Sequence, residues 1–100
     1  MEKRIRTYDL EAIKLVFANI EGLRLTNSAL HGARALGFTR RDIVDAIQQI
    51  QRNDFVKSMT TYANHKVWQD VYNTSHKGFD LYIKFQMHED GHLLISFKEK

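Results

Sequence analysis

Leu10, Ile13, Val16, Phe17 and Ile20 recur at helical spacing. With Asp9 placed to cap the first free amides and Gly22 to stop the chain, the spacing predicts a helix over residues 9–21. A second helix is expected from about Asn27 to Leu36, where Ala29, Leu30, Ala33 and Leu36 share a face, Thr26 can cap and Gly37 can take the left-handed exit. Gly32 in its interior costs some helix stability. Thr39 and Asp42 have the spacing of a capping box, Phe38 and Ile43 that of a hydrophobic staple, and Ile43, Ile47 and Ile50 continue the stripe, which predicts a third helix over 40–51. After Asp54 the period changes. β-Branched and aromatic residues crowd 55–62 and 67–72 around the turn-prone 63–66, and both runs are expected to be strands. From Phe79 to His88 apolar and polar residues alternate strictly, and 92–98 continues the alternation with Leu93, Ile95 and Phe97 on the inner side.

The turn between these last two strands fixes their register. A two-residue Asp90-Gly91 hairpin would pair Ile83 with Lys98 and mix core with solvent faces. A three-residue Glu89-Asp90-Gly91 loop with Gly91 left-handed instead pairs Phe85 with Ile95 and Ile83 with Phe97. It also sets Tyr82 opposite Lys98 and Lys84 opposite Ser96, on the wet face. The expected fold is α+β: three N-terminal helices packed on one face of a twisted antiparallel sheet, in a single domain spanning 1–100.

Composition narrows the function. One hundred residues with 43% hydrophobic content make one small globular domain, with no repeat or low-complexity tract. No apolar run approaches the roughly 20 residues of a membrane span, and Met1-Glu2-Lys3-Arg4 leads into no signal core, so a cytoplasmic chain without a membrane role is expected. Cysteine is absent, which removes disulfides, thiolate metal sites and thiol nucleophiles. The net charge of +3 favours a polyanionic partner. All seven arginines precede residue 54, which hints at two working surfaces. The five histidines form no metal-binding motif, the glycines no phosphate loop, and no GxSxG is present. Metal sites, cofactors, serine hydrolases and nucleotide triphosphatases are therefore not expected.

A chemistry open to lysine, tyrosine, glutamine and histidine is cleavage of RNA by its own 2′-hydroxyl. It needs a base for that hydroxyl, cations for the phosphorane and a proton donor for the leaving 5′-oxygen. Tyr82 and Lys98, opposed on the wet face, are candidates, although such a pair more often only packs a stem along a ring. Two other classes compete. The helix-turn-helix around Leu36–Arg41 followed by a hairpin imitates a winged-helix DNA-binding regulator, but Asp42 and Asp45 would meet DNA phosphates. An exposed sheet edge could instead capture a partner strand.

The run Asp54-Phe55-Val56-Lys57-Ser58-Met59-Thr60-Thr61-Tyr62, His65, and Trp68-Gln69-Asp70-Val71-Tyr72 closely resembles the motility quorum-sensing regulator (MqsR) family of bacterial toxins, as do the opening Met1–Arg4 and the ending Ser96–Lys100. The resemblance implies a RelE-like fold and an mRNA interferase that cuts free messenger RNA at GCU-like sites without ribosome or metal, arresting growth. It implies a zinc-containing, DNA-binding antitoxin (MqsA-like) as partner, through which alone operator DNA is reached. It carries the family's active-site positions onto Lys57, Gln69, Tyr82 and Lys98. Lys57 and Lys98 would clamp phosphate, Tyr82 act as acid or base, and Gln69 orient. Lys84 is expected to contact RNA. His65 also matches the family pattern, as a substrate contact or, more plainly, a hydrogen-bonded scaffold residue in a turn. Trp68 is expected to fill core rather than stack a base. Asn73-Thr74 stand where an example of the family has Arg-Pro.

Overall fold

The computed structural model describes residues 1–100. A short strand β1 (Glu2–Lys3) leads into α1 (Leu10–Val16), a 3-10 turn (Ile20–Gly22), α2 (Asn27–Ala35) and α3 (Arg40–Gln48). A second 3-10 turn (Arg52–Asp54) opens onto β2 (Phe55–Thr60), β3 (Trp68–His76), β4 (Phe79–Met87) and β5 (Leu93–Glu99). The strands form one five-stranded antiparallel sheet in the order β1-β2-β3-β4-β5. Leu10, Ile13 and Phe17, Ala29 and Ala33, and Ile43, Val44 and Ile47 bury themselves against Tyr72, Leu81, Ile83, Phe85, Ile95 and Phe97 of the sheet. Phe85 is the centre of this layer, with Phe17 stacked at 6.0 Å and Tyr72 edge-on at 5.9 Å. The α+β arrangement expected from the pattern is the one found.

Several boundaries differ, each for a local reason. The first helix stops at Val16, five residues short of the expected end, and Ile20 sits in a separate turn. Gln48 of α3 donates its side-chain N–H to the carbonyls of Lys14 and Phe17 at 2.8 and 3.1 Å, which satisfies the helix end there. Asn19 then caps the new turn by accepting from the Gly22 N–H. The third helix ends at Gln48, although Ile50 remains buried beyond it. Its capping box is present, with Asp42 accepting from the Thr39 N–H at 2.8 Å.

On the strand side, β2 ends at Thr60, while β3 runs on to His76 rather than stopping at Tyr72. The extension follows from Lys77 (φ 50°) and Gly78 (φ 82°), whose paired positive φ angles make a two-residue hairpin turn. The β4–β5 register is the one deduced from the three-residue loop: Phe85 pairs with Ile95, Ile83 with Phe97, Tyr82 with Lys98 and Lys84 with Ser96, with Gly91 at φ 84°.

β1 has no hydrophobic signature and was not expected. It pairs Glu2 with Met59 and Lys3 with Ser58, and the chain that follows is tied down by Asp70. The fully buried Asp70 side chain accepts from the Thr7 N–H with both oxygens and from the Tyr8 N–H at 2.8 Å. At the other side of the sheet, Arg24–Thr26 run beside β5, where the Ile95 N–H donates to the Arg24 carbonyl and the Thr26 N–H to the Ile95 carbonyl. The β5 edge is thus already partly paired, which weakens the strand-capture reading there.

Candidate active site

Period two along the strands puts the even positions of β4 and β5 on the face away from the helices. The register then aligns them into rows. Asn73, Tyr82 and Lys98 form one row; Lys57, Val71, Lys84 and Ser96 the next; Met59, Gln69, Gln86 and Leu94 a third. Lys57 reaches this face only because of a β-bulge. Phe55 opposes Tyr72 and packs inward at 5.5 Å between ring centroids, and an uninterrupted strand would send Lys57 inward as well. The irregularity between Phe55 and Lys57 inserts one residue and turns the lysine outward, opposite Val71.

Lys57, Tyr82, Lys84 and Lys98 line one cavity of about 240 Å³ whose walls include Val56, Met59 and Val71. Burial, reinforced by the charges of Lys98 and Lys57, pulls the Lys84 ammonium's pKa below that of an ordinary lysine. Three cations thus converge on an apolar floor, and the one acid bound to them is Glu2, whose carboxylate accepts from the Lys57 ammonium at 2.7 Å. That contact holds the Glu2 carboxyl below its usual range. Lys100 adds a fourth cation, 5.4 Å from the centroid of the Tyr82 ring. Such a cluster attracts a compact anion, and the Tyr82 hydroxyl within it has no hydrogen-bond partner in the protein. Beside Tyr82, the Asn73 side-chain oxygen is buried and equally unpartnered.

The candidate residues are therefore only partly gathered. Lys57, Tyr82, Lys84 and Lys98 share a cavity. Gln69 lies on the same face one row away, where its side-chain N–H donates to Gln86 at 2.6 Å, in a separate groove. His65 sits exposed in the 61–67 connection, lines neither hollow and makes no hydrogen bond, so the scaffold role expected of it is not what the structure has. Trp68 is half-buried at the end of the sheet under the Lys3 ammonium, 4.2 Å from its ring, and is not a core filler. Glu2, Gln86 and Lys100 escaped the sequence reading. Glu2 depends on an unsignalled strand, whereas Gln86 and Lys100 share the wet-face parity of Tyr82 and Lys98 and were legible from it.

The arginine-bearing helix expected as a second surface is packed on the sheet along one face. α3 buries Asp42, Ile43, Val44, Ala46 and Ile47 against the sheet, and Arg41 pairs with Asp45 at 3.3 Å. Asp42 is held far below the usual carboxylate range, first by the Lys77 ammonium at 2.8 Å, then by the Thr39 amide and His76. Of the two acids that counted against a winged helix, Asp42 is buried in the capping box of α3 and Asp45 forms a surface pair with Arg41.

Fold and face together define a small basic α+β protein that carries a cluster of ammonium groups, suited to an anion, on the open side of its sheet. A family model described as "Motility quorum-sensing regulator, toxin of MqsA" matches residues 6–99, and the chain belongs to that family. The mRNA interferase toxin MqsR of Escherichia coli (strain K12) is 39% identical over 100 residues, which is 100% of each chain. No helix is long and apolar enough to cross a membrane.

Proposed function

We propose that the lysine–tyrosine face cuts single-stranded messenger RNA by transfer to the 2′-hydroxyl. Membership of the family makes the chain a toxin of a toxin–antitoxin system with endoribonuclease activity. What carries the chemical reading is the convergence of Lys57, Tyr82, Lys84 and Lys98 on one cavity. Lys57 and Lys98 hold the scissile phosphate and neutralise the charge that builds on its oxygens, so the ammonium groups supply the positive charge and no metal is required. The 2′-oxygen attacks phosphorus and gives up its proton, the bond to the 5′-oxygen breaks, and that oxygen takes a proton. Tyr82 serves one of these transfers, with its ring and hydroxyl set among the ammonium groups that line the same cavity. The products are a 2′,3′-cyclic phosphate and a 5′-hydroxyl. Gln69, one row away, orients the neighbouring nucleotide, Lys84 contacts the backbone, and His65 touches RNA from its turn without entering the chemistry.

The same reading places the toxin in the cytoplasm, acting on free RNA at GCU-like sites within a RelE-like fold. Its partner is a zinc-containing, DNA-binding antitoxin of the MqsA type, and operator DNA is reached only through that partner. Purified protein should cut single-stranded RNA in EDTA at selected sequences and leave cyclic phosphate ends. Lys57→Ala, Lys98→Ala and Tyr82→Phe should each lower kcat/KM by about 100-fold or more. A folded Tyr82→Phe protein of full activity would falsify the proton-transfer role.

A further inference from the structure

Beside the lysine cavity lies a wider groove of about 590 Å³, bounded by the 61–67 connection on one side and the 88–92 turn on the other. Gln69 and Gln86 form part of its floor, Met59 and Met87 its walls, and Tyr62 and His88 its rims. The two amides are locked to each other by the 2.6 Å hydrogen bond, yet each keeps groups to spare: the N–H donors of Gln86 and the oxygen and second N–H of Gln69. The floor thus offers fixed donors and acceptors side by side, the pattern that reads the edge of a nucleobase. The methionines offer soft, conformable apolar surface for the flat of a ring. Tyr62 is fully exposed and buries none of its aromatic surface in the free protein, which is the disposition of a stacking platform waiting for a base. The rim opposite is braced, because Arg24 pairs with Asp90 at 2.9 Å and Asp90 accepts from the His92 N–H.

From these features we infer that the groove is a base-recognition subsite, which holds one unpaired nucleobase of the RNA next to the scissile linkage and sets the sequence preference. The position suits this. The Gln69–Gln86 row is one step along the sheet from the Val71–Lys84 row, roughly 7 Å, within the reach of a single extended nucleotide. The volume also falls in the roughly 300–1,000 Å³ range of small-ligand pockets. The inference rests on the ribonuclease reading above and adds to it where specificity resides: Gln86 reads the base edge and Tyr62 stacks its face.

The test is cleavage of a randomised single-stranded RNA library in EDTA, with the new ends sequenced. Wild type should show a base preference beside the cut. Gln86→Leu, which keeps the side chain's bulk and removes its polar groups, should flatten that preference several-fold at one position. Gln86→Glu, which removes the donors, should shift it. Tyr62→Ala should raise KM several-fold with the preference kept, and Tyr62→Phe should behave as wild type. Cleavage by folded Gln86→Leu and Gln86→Glu proteins with the wild-type preference at every position overturns the subsite and leaves the ribonuclease reading intact. A library left uncut by wild type sinks the ribonuclease reading instead. The subsite is then judged by binding of homopolymeric RNA oligonucleotides, where equal affinity for all four bases overturns it and a difference removed by Gln86→Leu supports it.

Discussion

If the lysine cavity holds the RNA phosphate as proposed, two side chains tune how strongly it does so. Lys84 loses its proton more readily than a free lysine because it is half-buried between two other ammonium groups. A phosphate in the cavity favours the charged form, so binding takes up a proton wherever Lys84 is partly neutral. RNA affinity should therefore fall as pH rises through this lowered pKa, earlier than an ordinary lysine would dictate. Lys84→Arg should move the onset of the fall to higher pH, which titration of a 2′-deoxy-substituted oligonucleotide by fluorescence anisotropy would show. A pH profile identical in both proteins would exclude Lys84 from the phosphate contact. Glu2 works in the opposite direction. Its contact with Lys57 is exposed and therefore worth little to stability, but it occupies the ammonium that the phosphate needs. Glu2→Gln should tighten RNA binding by up to about fivefold in low salt, with the gain shrinking as salt rises. That Lys57, Tyr82 and Lys98 are candidate site residues was legible, two of them from hairpin register and all three through family resemblance. Glu2 was not, since nothing in Met1–Arg4 announces a strand.

At the level of elements, two glycines that look alike in the sequence have opposite meanings. Gly32 lies inside α2, and a Cβ added there would meet only the Phe97 carbonyl oxygen at 3.8 Å, an ordinary contact. Gly32→Ala should thus recover helix propensity and stabilise the protein by about 0.5–1 kcal/mol, raising Tm by several degrees. A Cβ at Gly22 would fall 2.4 Å from the Val16 carbonyl oxygen, so the turn must open to accept it. Gly22→Ala should cost about 1–3 kcal/mol in urea unfolding. Equal shifts in the two variants would contradict this reading of the packing. The periodic pattern placed all three helices and the four longer strands because burial on one face imposes that period. It missed where α1 ends, because the partner that satisfies its last carbonyls is Gln48, a residue with no local relation to that terminus.

For the molecule as a whole, Asp70 joins the sheet to the N-terminal segment. Its buried side chain takes the amides of Thr7 and Tyr8, which fixes the path from β1 to α1. Asp70→Ala would leave two amide donors without partners and should cost about 3 kcal/mol or more. Hydrogen exchange at residues 1–9 should rise further than elsewhere, because β1 has only two residues of pairing to hold it once that anchor is gone. Uniform loss of protection across the chain would mean that Asp70 supports the core rather than the segment.

Alternation of apolar and polar residues and the loop length before β5 determined the fold class, the β4–β5 register and the meeting of Tyr82 with Lys98. These follow from the sequence because each depends on neighbours along the chain or on which face is buried. The outward turn of Lys57 at its bulge, the pairing of Glu2 with that lysine, the groove floored by Gln69 and Gln86, and the closure of α1 by Gln48 were decided by tertiary structure. Each depends on contact between segments far apart in the chain, and local periodicity carries no trace of such contacts.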